Sequence, residues 1–318
     1  FYVSFFPQLV AGPIVRAREF VPQIYRPFVL TEKQAWHATF LILSGLVKKM
    51  IFSDYIAVNF VDRVFESPFL YSGFEILSAV YGYTLQIYCD FSGYTDVAIG
   101  LALLLGFRLP LNFNSPYKAL SPGEFWHRWH ISLSTWLRDY LYIPLGGNRK
   151  GKIRTQINLL ITMTLGGLWH GASWRFVLWG LWHGIGLITD KLIRPLTTRI
   201  PGWIRTKAGF FFTFHFVVIG WILFRAKNVQ TATSMARRIF TAFNAESMLQ
   251  AIQVHALSFG LIITGFLLHW LPESIKEKAR GAFIMLHWSA KVTIVALIII
   301  VVMQFKTAEL VPFIYFRF

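Results

Sequence analysis

Uncharged apolar runs alternate with short basic segments along the whole chain. Residues 34–47 carry no charge and lead into Lys48-Lys49. That run is shorter than the roughly 20 residues a bilayer span needs, and snorkelling lysines would extend it. Residues 74–107 are apolar but interrupted by Asp90, Gly93 and Asp96, which predicts two helices with a polar break. Thr155 to Trp174 is a twenty-residue uncharged run, long enough to span. Residues 176–189 are again uncharged and are followed by a basic stretch, 191–207. Residues 208–224, 247–272 and 292–305 add three candidate spans, so the pattern predicts six to eight membrane helices, re-entrant pieces included.

The segments between these runs read differently. Pro7, Pro13, Pro22 and Pro27 forbid one long helix over residues 1–33 and predict an interfacial loop with short helices. In residues 108–154 a helix is predicted between Gly123 and Tyr142, with Ser121 as N-cap, Pro122 at its first position and Glu124 at its third. Gly146-Gly147-Asn148 closes that segment as a turn. The chain opens in mid-pattern at Phe1, which reads as a fragment lacking N-terminal spans, and Phe313 to Phe318 read as a chain end. No internal repeat or soluble linker is visible, so residues 1–318 are expected to form a single integral-membrane domain.

Composition supports this reading. The 318 residues are 55% hydrophobic and only 14% charged, with a mean hydropathy of +0.51. A soluble domain carries about 25% charged residues. A disordered chain, a coiled coil, a collagen-like fibre and a disulfide scaffold are excluded, and an all-α integral membrane fold is expected because lipid demands internally satisfied backbone. The net charge of +16 is assigned to basic loops facing anionic headgroups rather than to nucleic acid. Basic residues at 149–154 and 191–207 fall on one side, taken as cytoplasmic, if 156–190 is a helical hairpin. The single cysteine, Cys89, excludes internal disulfides and a cysteine-rich metal site.

Candidate chemistry rests on histidine. His170 sits among glycines near the end of an uncharged run, in Gly166-Gly167-Leu168-Trp169-His170-Gly171. A polar group at that depth faces a protein interior or a wet cavity, or bonds a backbone carbonyl at the interface. An imidazole accepts a proton from an alcohol near neutral pH while the alcohol attacks an acyl thioester, with no metal and no protein nucleophile. His127 and His130, three apart, would share a helix face. They show no third ligand at a metal-site spacing, and no His-Glu-x-x-His is present, so no metal is assigned. His130, beside Trp129 on the apolar side, is the second candidate. His183 stands in Trp182-His183-Gly184 with no role assigned. Arg128, Arg138 and Asp139 form either an interfacial ion-pair set or a phosphate-recognising group, and Trp129 and Trp169 flank the two histidines as further substrate-binding residues. Asp90 and Asp96, buried carboxylates in an apolar run, are expected to pair arginines. No P-loop, nucleophile elbow or dinucleotide fingerprint is present.

Phe125-Trp126-His127-Arg128-Trp129-His130-Ile131-Ser132, the following Leu133 to Tyr140, Ile143-Pro144-Leu145-Gly146-Gly147-Asn148 and Gly167-Leu168-Trp169-His170-Gly171-Ala172 resemble the membrane-bound O-acyltransferases. The opening Phe5 to Ile14 and the stretch Tyr88 to Gly100 fit the same family. Within it the sequence looks nearest to the membrane subunits of alginate O-acetylation, with the D-alanyl transfer proteins of teichoic acid synthesis more distant. The resemblance implies a ring of membrane helices around a central tunnel in the bacterial inner membrane, crossing it many times. It implies that His170 is the catalytic histidine and His130 the polar residue that accompanies it. It implies an acyl thioester such as acetyl-CoA as cytoplasmic donor, no bound cofactor, and a periplasmic acetyltransferase partner that completes delivery to an exported polysaccharide. Two alternatives stand beside it: a transporter or channel using the intramembrane Asp and His, and the same chemistry on peptidoglycan, cellulose, teichoic acid or a lipid.

Overall fold

The computed structural model describes residues 1–9, 11–197, 199–244, 246–305 and 313, and every regular element among them is helical. The α-helices are α1 (Phe6–Leu9), α2 (Ala17–Ile24), α3 (Glu32–Leu46), α4 (Asp62–Glu66), α5 (Gly73–Leu104), α6 (Pro122–Arg128), α7 (Ile131–Leu137) and α8 (Gly151–Trp169). They continue with α9 (Trp174–Thr197), α10 (Gly202–Arg225), α11 (Val229–Thr241), α12 (Glu246–Val254), α13 (Ala256–Trp270), α14 (Glu273–Met285) and α15 (Trp288–Gln304). Of the C-terminal hexapeptide, only Phe313 lies among the described residues.

Two helices, α5 and α10, are long and apolar enough to cross a membrane. Two bent pairs, α12 with α13 at 87° and α14 with α15 at 119°, bring the number to four if each is one span. The uncharged runs predict more. The helices that contain them extend into polar sequence: Lys152, Arg154, Gln156 and Asn158 on α8, and Arg175, Asp190 and Lys191 on α9. The predicted span 247–272 is broken between Val254 and Ala256.

The chain divides into two compact units. The first comprises Phe1–Asn59, Leu85–Asn112 and the described residues from Leu257 onward. Its N-terminal part is an aromatic core of Phe5, Val15, Phe20, Ala102 and Leu109, in which Phe20 and Phe107 stack at 4.9 Å. The helix α5 corrects the expected polar break, because it runs unbroken for 32 residues. Gly93 is a packing notch here: a side chain on it would stand 2.8 Å from the Gly45 carbonyl of α3. The two aspartates are neutralised across the same interface. After α3 the helix widens into a π-helical stretch, Val47–Asp54. Lys48 Nζ lies 2.6 Å from Asp96, and Lys49 Nζ lies 2.5 Å from Asp90 and 2.8 Å from Asp54. The partners are therefore lysines where arginines were expected. These lysines turn inward instead of snorkelling, because Lys49 meets the buried Asp90 and Asp54 and Lys48 meets the half-buried Asp96.

The second unit comprises Phe60–Thr84 and Phe113–Ala256. Its centre is the antiparallel pair α8 and α9. Their backbones touch through Gly167 and Gly180: a side chain on Gly180 would overlap the Met163 carbonyl and stand 2.9 Å from the Thr164 Cα. No side-chain motion can relieve a clash with backbone. Gly180→Ala is expected to cost about 1–3 kcal/mol, read as a lowered Tm in detergent, whereas a loss no greater than that of an exposed Gly202→Ala would show that the two helices separate freely.

Candidate active site

The site is built on α6 to α9 of the second unit. As predicted, Ser121 caps α6: its Oγ accepts from Glu124 N–H at 3.3 Å. The cap is itself gripped from α9. Asp190 Oδ2 accepts from Ser121 Oγ at 2.8 Å and from Gly123 N–H at 3.0 Å. A carboxylate is favoured there by the orphan N–H groups and the positive end of the helix.

The helix predicted from Gly123 to Tyr142 is broken. It stops at Arg128, Trp129 is extended at φ −105° and ψ 130°, and His130 is left-handed at φ 42° and ψ 54°. Two interactions enforce the corner. Arg128 exchanges hydrogen bonds with Asn114, donating to its carbonyl at 3.1 Å and accepting from its N–H at 2.9 Å. The Trp129 ring is drawn inward against Phe113, Phe125 and Trp221, with centroids 5.0, 5.7 and 5.0 Å away. The corner separates the two histidines that a continuous helix would align. His127 stays exposed and donates from Nδ1 to the Gly123 carbonyl at 2.6 Å. His130 is 3% exposed. A left-handed non-glycine residue costs about 1–3 kcal/mol and is held only where its surroundings insist.

His170 caps the C-terminus of α8, its N–H bonded to the Gly167 carbonyl at 3.0 Å. Its ring is walled by Trp169, Trp179 and Phe224, with centroids 5.1, 5.3 and 5.2 Å away. The corner brings His130 to this imidazole. Burial holds the His130 pKa well below the ordinary histidine value, and the charge of a protonated His170 lowers it further. His130 is therefore neutral near pH 7 and able to accept a hydrogen bond.

A third imidazole lies in the same aromatic cluster. His183 of α9 is fully buried, and its Nδ1 accepts from Trp126 Nε1 at 3.3 Å. The sequence did carry a signal for it, since Trp182-His183-Gly184 repeats the Trp169-His170-Gly171 triplet. What the sequence lacked was the helix register that turns both rings onto Trp179.

Beside this cluster is a cavity of about 410 Å³. Trp126, Ile131, Leu137, Leu159, Met163 and Leu187 give it an apolar wall, and Arg138, Lys191 and Arg194 a cationic edge. Neither His130 nor His170 lines it. The link is Trp126, which lines the cavity and packs on Trp179 at 5.8 Å, which in turn packs on His170. Among the residues assigned to substrate from the sequence, Arg138 lines the cavity and bonds Asp139 through Nε at 2.7 Å. Arg128 is engaged by Glu124 at 2.8 Å and by Asn114, Trp129 is a core residue, and Trp169 is 58% exposed. Among the described residues no group of three His, Cys, Asp or Glu side chains is placed to hold a metal.

Comparison with known proteins gives the arrangement a context. The model of the membrane-bound O-acyltransferase family matches residues 1–228. A probable alginate O-acetylase, AlgI, of Pseudomonas putida is 38% identical over all of this chain and 68% of its own length. The peptidoglycan O-acetyltransferase of Helicobacter pylori is 41% identical over 74% of this chain, and the teichoic acid D-alanyltransferase of Bacillus subtilis is 28% identical over 71%. The chain spans 45% of the Helicobacter protein and 60% of the Bacillus one, and about half the length of most curated relatives it matches. A family match over more than two thirds of the chain, with both motif histidines inside it, leads to one conclusion: the chain belongs to the membrane-bound O-acyltransferase family.

Proposed function

We propose that the protein transfers an acetyl group from a thioester donor to a hydroxyl acceptor, for O-acetylation of an exported polysaccharide. The observation that carries this is the corner at His130, which buries that imidazole within electrostatic reach of the aromatic-walled His170, beside a cavity with a cationic edge. The His170 imidazole takes the proton of the acceptor hydroxyl. The freed oxygen bonds to the acyl carbon, the C–S bond breaks, and the departing thiolate recovers the proton from the imidazolium. His130, neutral and fixed by its backbone, orients the imidazole or the hydroxyl. The apolar wall suits the pantetheine arm of a donor such as acetyl-CoA, and Arg138, Lys191 and Arg194 suit its phosphates.

In this reading residues 1–318 act as a single integral-membrane domain of the bacterial inner membrane, within a ring of helices around a tunnel. A periplasmic acetyltransferase receives the group and completes delivery to the polymer. Alginate is the proposed final acceptor and peptidoglycan the alternative: relatives named for the two are similarly identical to this chain, at 38–45% and 41%. The transporter reading draws no support from Asp90 and Asp96, each of which is held in an ion pair with lysine. The test is transfer of acetyl from a thioester by the purified full-length protein with no ion gradient; transfer strictly dependent on a gradient would favour transport.

The edge charges make a second prediction. Replacing Arg138, Lys191 or Arg194 by glutamine is expected to raise KM for the thioester about tenfold for each hydrogen bond to phosphate that is removed. The effect should fade when a truncated thioester without phosphates is used. An equal effect on both donors would remove the phosphate role.

A further inference from the structure

Three N–H groups in the cluster around His170 have no acceptor. Trp179 is 2% exposed, Trp221 1% and His183 0%. Among the described residues, Trp179 Nε1, Trp221 Nε1 and His183 Nε2 find no hydrogen-bond partner. Their rings adjoin one another, with centroids 4.8 Å apart for Trp179 and His183, 6.0 Å for Trp179 and Trp221, and 6.4 Å for His183 and Trp221. Trp179 also meets the His170 ring edge to face at 5.3 Å.

The state of His183 follows from its neighbour. An indole nitrogen only donates. Trp126 Nε1 lies against His183 Nδ1, so that nitrogen accepts and the neutral ring carries its proton on Nε2. Nε2 faces Gly220, where a side chain would begin 3.2 Å from it. All three nitrogens are thus donors, and the set contains no acceptor. Native proteins rarely bury a donor unpaired, and an unpaired one at a site points to a role. A cluster of donors alone suits an oxygen that carries lone pairs and negative charge.

We propose that Trp179, His183 and Trp221 form a donor pocket for the acyl carbonyl oxygen, and that Trp126 is a positioning residue that fixes the donating tautomer of His183. The inference rests on the acyl-transfer reading and adds catalytic groups to it. When the acceptor oxygen bonds to the acyl carbon, the C=O π pair moves onto the carbonyl oxygen. The three N–H groups stabilise that oxyanion. Its collapse restores C=O as the C–S bond breaks, and the thiolate takes the proton held by His170. The donors exchange no atoms in either step.

The experiment uses full-length protein and replaces Trp179 by 3-benzothienylalanine, which keeps the ring shape and exchanges N–H for sulfur. His183→Leu and His183→Gln are made beside it. The readouts are kcat and KM for acetyl-CoA and the Tm in detergent. The expected result is a kcat about 100-fold lower for the Trp179 analogue and for His183→Leu, with KM within about twofold and Tm unchanged. His183→Gln, which keeps a donor, should regain most of the loss. Wild-type kcat in the first two variants overturns the proposal and leaves the nitrogens to a structural water. A fall in kcat matched by a fall in Tm, with no recovery in His183→Gln, assigns the rings to packing and also overturns it. Either outcome leaves the acyl-transfer reading intact as long as His170→Ala is inactive; an active His170→Ala sinks that reading instead.

Discussion

Replacing His170 by alanine is expected to lower acetyl transfer about a thousandfold, within the range of a lost general base, while the amount of folded protein stays the same. The imidazole ends α8 instead of packing within it, and its backbone N–H bond to Gly167 survives the substitution. The walls of Trp169, Trp179 and Phe224 also pack on other residues; Trp179, for example, keeps Trp126 and Trp221. The measurement is O-acetyl content of the exported polymer, in cells with wild-type or variant protein at matched membrane levels. Thioester turnover by purified protein is measured alongside it. Unchanged acetylation would make His170 a structural residue and return the proton transfer to His130. His130→Ala is a less direct test, because alanine must also adopt the left-handed backbone at φ 42°.

The largest expected effect on stability lies in the first unit. Lys49→Met removes the cation shared by Asp90 and Asp54 and leaves two carboxylates facing each other across the interface. The Asp90 side chain is only 3% exposed, so the charge left on it is poorly hydrated. Removing one partner of a buried pair costs about 3–5 kcal/mol, far more than removing both. Thermal unfolding in detergent should show a marked fall for Lys49→Met, and Lys49→Met with Asp90→Asn and Asp54→Asn should recover part of it. If the triple variant were as unstable as the single one, packing of the lysine stem would be responsible rather than charge.

Much of this was readable along the chain, and the failures have identifiable causes. The Ser121-Pro122 start of α6 was readable because capping is local: the donor, the acceptor and the proline lie within four residues. His130 and His170 could be singled out because a polar group in an apolar run needs a reason. The unbroken course of α5 was hidden because Asp90 and Asp96 look helix-disrupting until Lys49 and Lys48, on another element, are placed beside them. The corner at His130 was hidden for the same reason. Nothing between Arg128 and Ile131 breaks a helix by propensity, and the bend comes from Asn114 and from burial of Trp129. The grip of Asp190 on α6 and the Trp126–His183 bond are likewise long-range pairings that leave no local pattern.

The division of the chain between the two units bears on how the protein is made. The second unit draws on one long continuous stretch, Phe113–Ala256, with only Phe60–Thr84 added before it. The first is interrupted, and its remaining described helices begin only at Leu257. Chains emerge at about 5–20 residues per second, and pairings that are local in sequence form first. The α8–α9 hairpin, with both of its histidines, is therefore complete on the ribosome while the first unit still waits for its last helices. During those seconds the surface they will cover is exposed to the insertion machinery.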